Sequence, residues 1–122
     1  MTLNIFLFFI FSSEFGASSE QPISFTSNTS FIAFPHLQAR REGRLTFDIR
    51  TRSESALLAY NAGLHSDSDL LAVELLRGLL KVTVDKGSGV VAVSSNHIIN
   101  DGFWHQVDII VDRSSIRVSV DG

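Results

Sequence analysis

The chain has no cysteine among its 122 residues. Disulfide scaffolds, zinc fingers and thiol nucleophiles are excluded together. Taken alone, that absence points to a reducing compartment. Charge is also sparse: 10 basic and 13 acidic side chains give a net charge of −3. Such a balance lacks the basic face that a nucleic-acid binder needs. A disordered chain is excluded as well, because apolar residues reach 44% and charged ones only 19%. Long apolar runs are missing. The longest, Ile5 to Phe11, falls well short of the roughly 18 residues that a membrane helix requires. The motifs of enzymes are missing too. His36, His65, His97 and His105 show no zinc spacing. No P-loop, nucleophile elbow or dinucleotide fingerprint occurs. Asp67 and Asp69 share a strand parity but lie among serines, not beside the aromatics of a glycosidase site. No enzymatic activity is expected. The length allows one domain with one modest core.

What is present is unevenly spread. Eight of the ten Phe fall in the first 34 residues, and the first basic side chain is Arg40. Met1 to Phe11 is followed by the small residues Gly16-Ala17-Ser18. A short apolar stretch before small residues is the pattern of a secretory signal, here 1–18 with a cut after Ser18. The competing reading is a buried first strand. Removing 1–18 takes Glu14 away and leaves a net charge of −2. Residues 19–27 then form a short Ser/Thr-rich spacer. Asn28-Thr29-Ser30 is the one glycosylation sequon, and with a secretory signal Asn28 becomes a candidate for glycan attachment.

From Leu45 onward the apolar period is two. Leu45, Phe47 and Ile49 alternate with polar residues. Leu71, Val73 and Leu75 alternate with Ala72 and Glu74, and Leu80, Val82 and Val84 with Lys81 and Thr83. Val107, Ile109 and Val111 keep the period around Asp108, and Ile116, Val118 and Val120 alternate with Arg117 and Ser119. Each series predicts a half-buried strand. Turn chemistry separates them at Arg77-Gly78, Gly87-Ser88-Gly89 and Asn100-Asp101-Gly102. The stretch from Ser68 to Leu80 is rich in helix formers, but Gly78 and the alternation favour a hairpin. The expected fold is an antiparallel all-β sandwich or barrel.

Two groups suggest binding. Asp67 and Asp69 at a loop edge suit a hard cation such as Ca²⁺, although from spacing alone a solvated polar loop is the favoured reading. Arg44, Arg50 and Arg52 share a parity and would line the outer face of one strand. They are candidate contacts for an acidic protein or a sulfated glycan, but Asp48 interrupts the patch and a solvated strand face is the favoured reading.

Three stretches carry a family resemblance. Arg44-Leu-Thr-Phe-Asp-Ile-Arg-Thr51 precedes Ala56-Leu-Leu-Ala-Tyr60. Asp69-Leu-Leu-Ala-Val-Glu-Leu-Leu-Arg-Gly78 follows. Ile99-Asn-Asp-Gly-Phe-Trp-His105 then leads to Val118-Ser-Val-Asp-Gly122. In this order, over about residues 22 to 122, the chain resembles the laminin G-like (laminin–neurexin–sex hormone-binding globulin) domain. The resemblance implies a jelly-roll sandwich of two antiparallel sheets, spanning 28–122 here and incomplete at the C-terminus. It implies a non-enzymatic extracellular module for adhesion or matrix recognition, secreted or at the cell surface. The partner would be an extracellular protein or glycan, with membrane attachment only through a parent protein. A secreted lectin on the same sandwich is the alternative. The resemblance also implies a possible rim Ca²⁺, with Asp69 and the Lys86 backbone carbonyl as ligands and the others beyond Gly122. The family's disulfide lies in its C-terminal part, so absent cysteine no longer implies a reducing compartment. Ala56 stands where the family prefers glycine, so its turn must avoid a positive φ. The Trp104 ring is expected to fill the sandwich, and the His105 imidazole to satisfy a buried partner.

Overall fold

The structure is a computed structural model, and it describes residues 5–10, 23–27, 29–33, 43–62, 70–112 and 114–122. The described strands are β1 (Ile5–Ile10), β2 (Ile23–Phe25), β3 (Gly43–Thr51), β4 (Ser55–Ala62) and β5 (Leu70–Leu76). They continue with β6 (Leu79–Asp85), β7 (Val90–Ile98), β8 (His105–Val111) and β9 (Ile116–Val120). One sheet has the order β2-β1-β3-β8-β9 and the other β4-β5-β6-β7. All described pairings are antiparallel.

Alternation determines which face each strand buries. Leu45, Phe47 and Ile49 of β3 and Val107 and Ile109 of β8 point inward from the first sheet. Leu58, Val73, Leu75, Leu80, Val82 and Val84 meet them from the second. Ile99 closes this core from just beyond β7 and is fully buried. Each such side chain contributes about 1.5–3 kcal/mol by leaving water.

The five alternating series all form strands, and Ser68–Leu80 contributes a hairpin. Its two-residue turn, Arg77-Gly78, has positive φ at both positions (54° and 79°), the geometry of a type I′ turn. Two strands that lie between these series, β4 and β7, escaped the alternation rule. In β4 the register shifts between Leu57 and Ala59, and this bulge resets the parity. Ala56 lies inside β4, where no positive φ is required. In β7, Val90 and Val91 point to opposite faces yet are 66% and 56% exposed, so no buried face marks the strand. β1 lies within the segment read as a secretory signal, whose residues 1–4 and 11–18 fall outside the described residues. β1 pairs with β3 on one side and with β2, inside the segment read as a spacer, on the other.

Candidate functional site

The β3–β8 ribbon carries Arg44, Arg50 and His105, and Arg52 and Trp104 adjoin its ends. At one end of its outer face, Arg44 donates from Nε and Nη2 to the two oxygens of Asp108, each at 2.8 Å. Thr46 Oγ1 donates to Asp108 Oδ1 at 2.9 Å. The Arg44 guanidinium, then burial opposing it, then Thr46 set the balance that holds Asp108 below its ordinary value. Arg44 is therefore committed within its own sheet.

The other end is the rim. The Asn100–Trp104 loop is tied down at successive points. The Ile99 N–H donates to the Gly78 carbonyl at 2.8 Å. Asp101 Oδ1 accepts from the Phe103 N–H at 2.9 Å, closing an Asx turn. The Gly102 N–H donates to the Thr51 carbonyl at 3.0 Å, across to the end of β3. Gly102 has φ +85°, and a Cβ there would meet the Arg52 guanidinium at 2.8 Å. The positive φ favours glycine here, and any side chain would also have to displace the Arg52 guanidinium.

His105 follows at the start of β8. Its Nδ1 lies 2.8 Å from Asp121 Oδ2 and its Nε2 lies 2.9 Å from Asp101 Oδ1. Asp121 is held by Gln106 through two backbone contacts, one to its carboxylate and one from its own N–H, both 2.9 Å. Burial lowers the proton affinity of His105, but the bonds to Asp121 and Asp101 outweigh it and raise its pKa above 6.5. Asp101 is lowered, first by the Phe103 N–H and then by His105. Asp121 is lowered, first by His105 and then by the Gln106 N–H.

On the outer side of this rim, the Arg50 guanidinium sits 5.1 Å from the Trp104 ring centroid, a cation–π arrangement. Trp104 is 42% exposed and Phe103 71%. The expectation that Trp104 fills the sandwich is corrected. Inward parity runs through His105, Val107 and Ile109, so position 104 must face outward. The expectation for His105 is corrected too: its partners are not buried but are two largely exposed carboxylates. Arg50 and Arg52 thus gather with Phe103 and Trp104, while Arg44 lies apart with Asp108.

The remaining candidates lie elsewhere. Asn28 falls outside the described residues, but Ser27, Thr29 and Ser30 around it form a hydrogen-bonded turn. Asp67 and Asp69 also fall outside them. The register Leu70↔Asp85 brings the beginning of β5 beside the end of β6, which Lys86 follows. The Lys86 ammonium donates to the Asp112 carbonyl. Asp112 caps its turn through Ser115 and Ser114, and those bonds lower its pKa to about 2. Among the described residues, no group of three or more His, Cys, Asp or Glu is placed to hold a metal ion. By themselves they do not make a Ca²⁺ site.

Sequence reasoning quoted Asp101 and Asp121 only as letters of motifs. Nothing local joined them, because His105 bridges residues 16 apart on one side and 4 apart on the other. The available signal was a histidine of inward parity at a strand end, which must find polar partners there.

A family model described as "Laminin G domain" matches residues 49–122, more than half of the chain. The chain belongs to the laminin G domain family. This laminin G domain is 34% identical over 108 residues to chondroitin sulfate proteoglycan 4 of Rattus norvegicus, covering 88% of this chain and 5% of that one. It is 34% identical over 112 residues to neurexin-3a of Danio rerio, covering 82% and 7%. Domains LG4-5 of the mouse laminin alpha1 chain match its fold with a TM-score of 0.64 at 21% identity, over 99% of this chain and 26% of that one. The jelly-roll sandwich of two antiparallel sheets is therefore the fold of this laminin G domain. The chain spans only a small fraction of the length of the curated relatives it matches.

Proposed function

We propose that this laminin G domain is a non-enzymatic extracellular recognition module, secreted or displayed at the cell surface, that binds a protein partner at its rim. Its relatives in a proteoglycan and the neurexins support that setting. The observation that carries the reading is the exposure of Phe103 and Trp104 on a loop tied at both ends, with Arg50 stacked on Trp104 and Arg52 beside Gly102. Exposed aromatics and arginine are the side chains that dominate protein interfaces, and a loop already fixed loses little entropy on binding.

The test is a screen of the chain against extracellular protein ectodomains and a glycan array. A protein partner is expected, with affinity falling at least about tenfold in Phe103→Ala or Trp104→Ala. Arg44→Gln should weaken it far less, since Arg44 is engaged by Asp108. Binding untouched by both aromatic substitutions overturns the reading. A signal confined to glycans and abolished by chelator would assign the lectin function instead. Ca²⁺ assistance through Asp69 and the Lys86 carbonyl belongs to the same proposal. It predicts that Ca²⁺ raises the melting temperature of the wild type and not of Asp69→Ala. A wild-type melt indifferent to Ca²⁺ removes the metal from the proposal.

A further inference from the structure

His105 presents a proton-counting problem. Both ring nitrogens lie within hydrogen-bond distance of carboxylate oxygens, at 2.8 and 2.9 Å. A neutral imidazole has one N–H and one lone pair. Either neutral tautomer would aim a lone pair at an anionic oxygen. Only the imidazolium donates to both.

The two arms differ in strength. Asp121 is anchored by two backbone hydrogen bonds to Gln106, the residue beside His105. Asp101 belongs to the loop and is fixed by the Phe103 N–H. When the ring loses a proton, the remaining N–H stays with the better anchored Asp121. The arm to Asp101 is the one that opens, and Asp101 leads directly into Phe103 and Trp104. Other charges do not take over this role. Across the ladder from His105 stands Ile49, with Asp48 and Arg50 on the opposite face of β3. Arg52 lies against Gly102 of the same loop. The carboxylates acting on the ring are Asp101 from the loop and Asp121 from the end of β9.

We propose that His105 is a protonated clip that locks the Phe103–Trp104 rim, so that loss of one proton loosens this surface. The regulatory part rests on the reading of that rim as the recognition surface. The clip holds in mildly acidic surroundings and releases as pH climbs.

Trp104 is the only tryptophan in the chain, so its fluorescence reports the loop without any partner. The full chain is titrated from about pH 5.5 to 9 while the His105 Cε1–H resonance is followed by NMR. Both signals should move together in a one-proton step centred above 6.5. Asp121→Asn and Asp101→Asn, which keep the imidazole, should each lower that midpoint by roughly half a unit or more. His105→Gln should abolish the Trp104 step while β-sheet circular dichroism persists. If His105→Gln does not fold, the two Asn variants decide the matter. A flat Trp104 signal across the His105 titration overturns the clip. So does a Trp104 step that survives in His105→Gln, or a midpoint that neither Asn variant moves. Partner binding is scored separately. A clip that titrates as expected, with binding indifferent to Phe103→Ala and Trp104→Ala, leaves the switch standing and removes the recognition surface. A flat titration with binding lost in those variants does the reverse.

Discussion

Two turns meet at Ile99 and Asn100. The Arg77-Gly78 turn is held by shape: Gly78 is buried, its carbonyl accepts from Ile99, and a Cβ on it would lie 2.4 Å from Asn100 Oδ1. The Asn100–Trp104 turn adds charge to its backbone ties: an imidazole sits between two carboxylates. Both present a chain reversal at the edge of the same core. One depends on how much space is left, and the other on how many protons are bound. Steric fit is indifferent to pH, whereas the charged turn must show it.

The largest effect should come from filling the space. Gly78→Ala introduces a side chain at φ +79° and against both Asn100 and the Ile98 Cγ2, the latter 2.9 Å away. Positive φ and crowding together should cost about 2–4 kcal/mol. Thermal unfolding would show the same fall in Tm at pH 5 and at pH 9. A loss at only one pH would mean that the two turns are not separate in kind.

Next comes the pH profile of stability. His105 has a raised pKa, so its contribution is complete below 6.5 and disappears as pH rises through the folded value. Asp101 and Asp121 have lowered pKa values, so theirs is present above 3.8 and disappears as pH falls through the folded values. Stability should therefore form a plateau between the two limits and decline on the alkaline side. His105→Gln should flatten the alkaline decline and cost roughly 1 kcal/mol on the plateau. Urea titrations from pH 5 to 9 measure both. An alkaline decline identical in wild type and His105→Gln would show that the second turn is held by something other than this charge.

These two turns also mark how far the sequence could be read. Period-two alternation exposed β3, β5, β6 and β8, where one face carries the buried residues, and β9, whose Ile116, Val118 and Val120 pack half-buried against the core. It failed for β4, where a bulge breaks the parity, and for β7, where neither face is buried. Arg77-Gly78 was legible as a turn, since its glycine supplies the positive φ that the connection needs. The His105 clip was not legible. Asp121 reaches His105 only after β8 and β9 have run antiparallel and brought residues 16 apart together. Residue type alone places Trp104 in the core, whereas parity counted from Val107 sends it outward, where it is 42% exposed.

The smallest effect separates shape from charge within one turn. Arg77 occupies a positive φ of 54°, a conformation that costs a branched-Cβ-free but bulky residue about 1 kcal/mol and costs asparagine less. Arg77→Asn should therefore stabilise the domain by about 0.5 kcal/mol, even though it deletes a charge. In Tm this is roughly 2–4 °C for a domain of this size. Arginine stays charged over the whole accessible range, so its removal should raise the stability profile without changing its form. The alkaline decline set by His105 should keep its midpoint. A stabilisation that appears only at low pH would instead place Arg77 in electrostatic contact with the rim, and the hairpin turn could no longer be described by its backbone conformation alone.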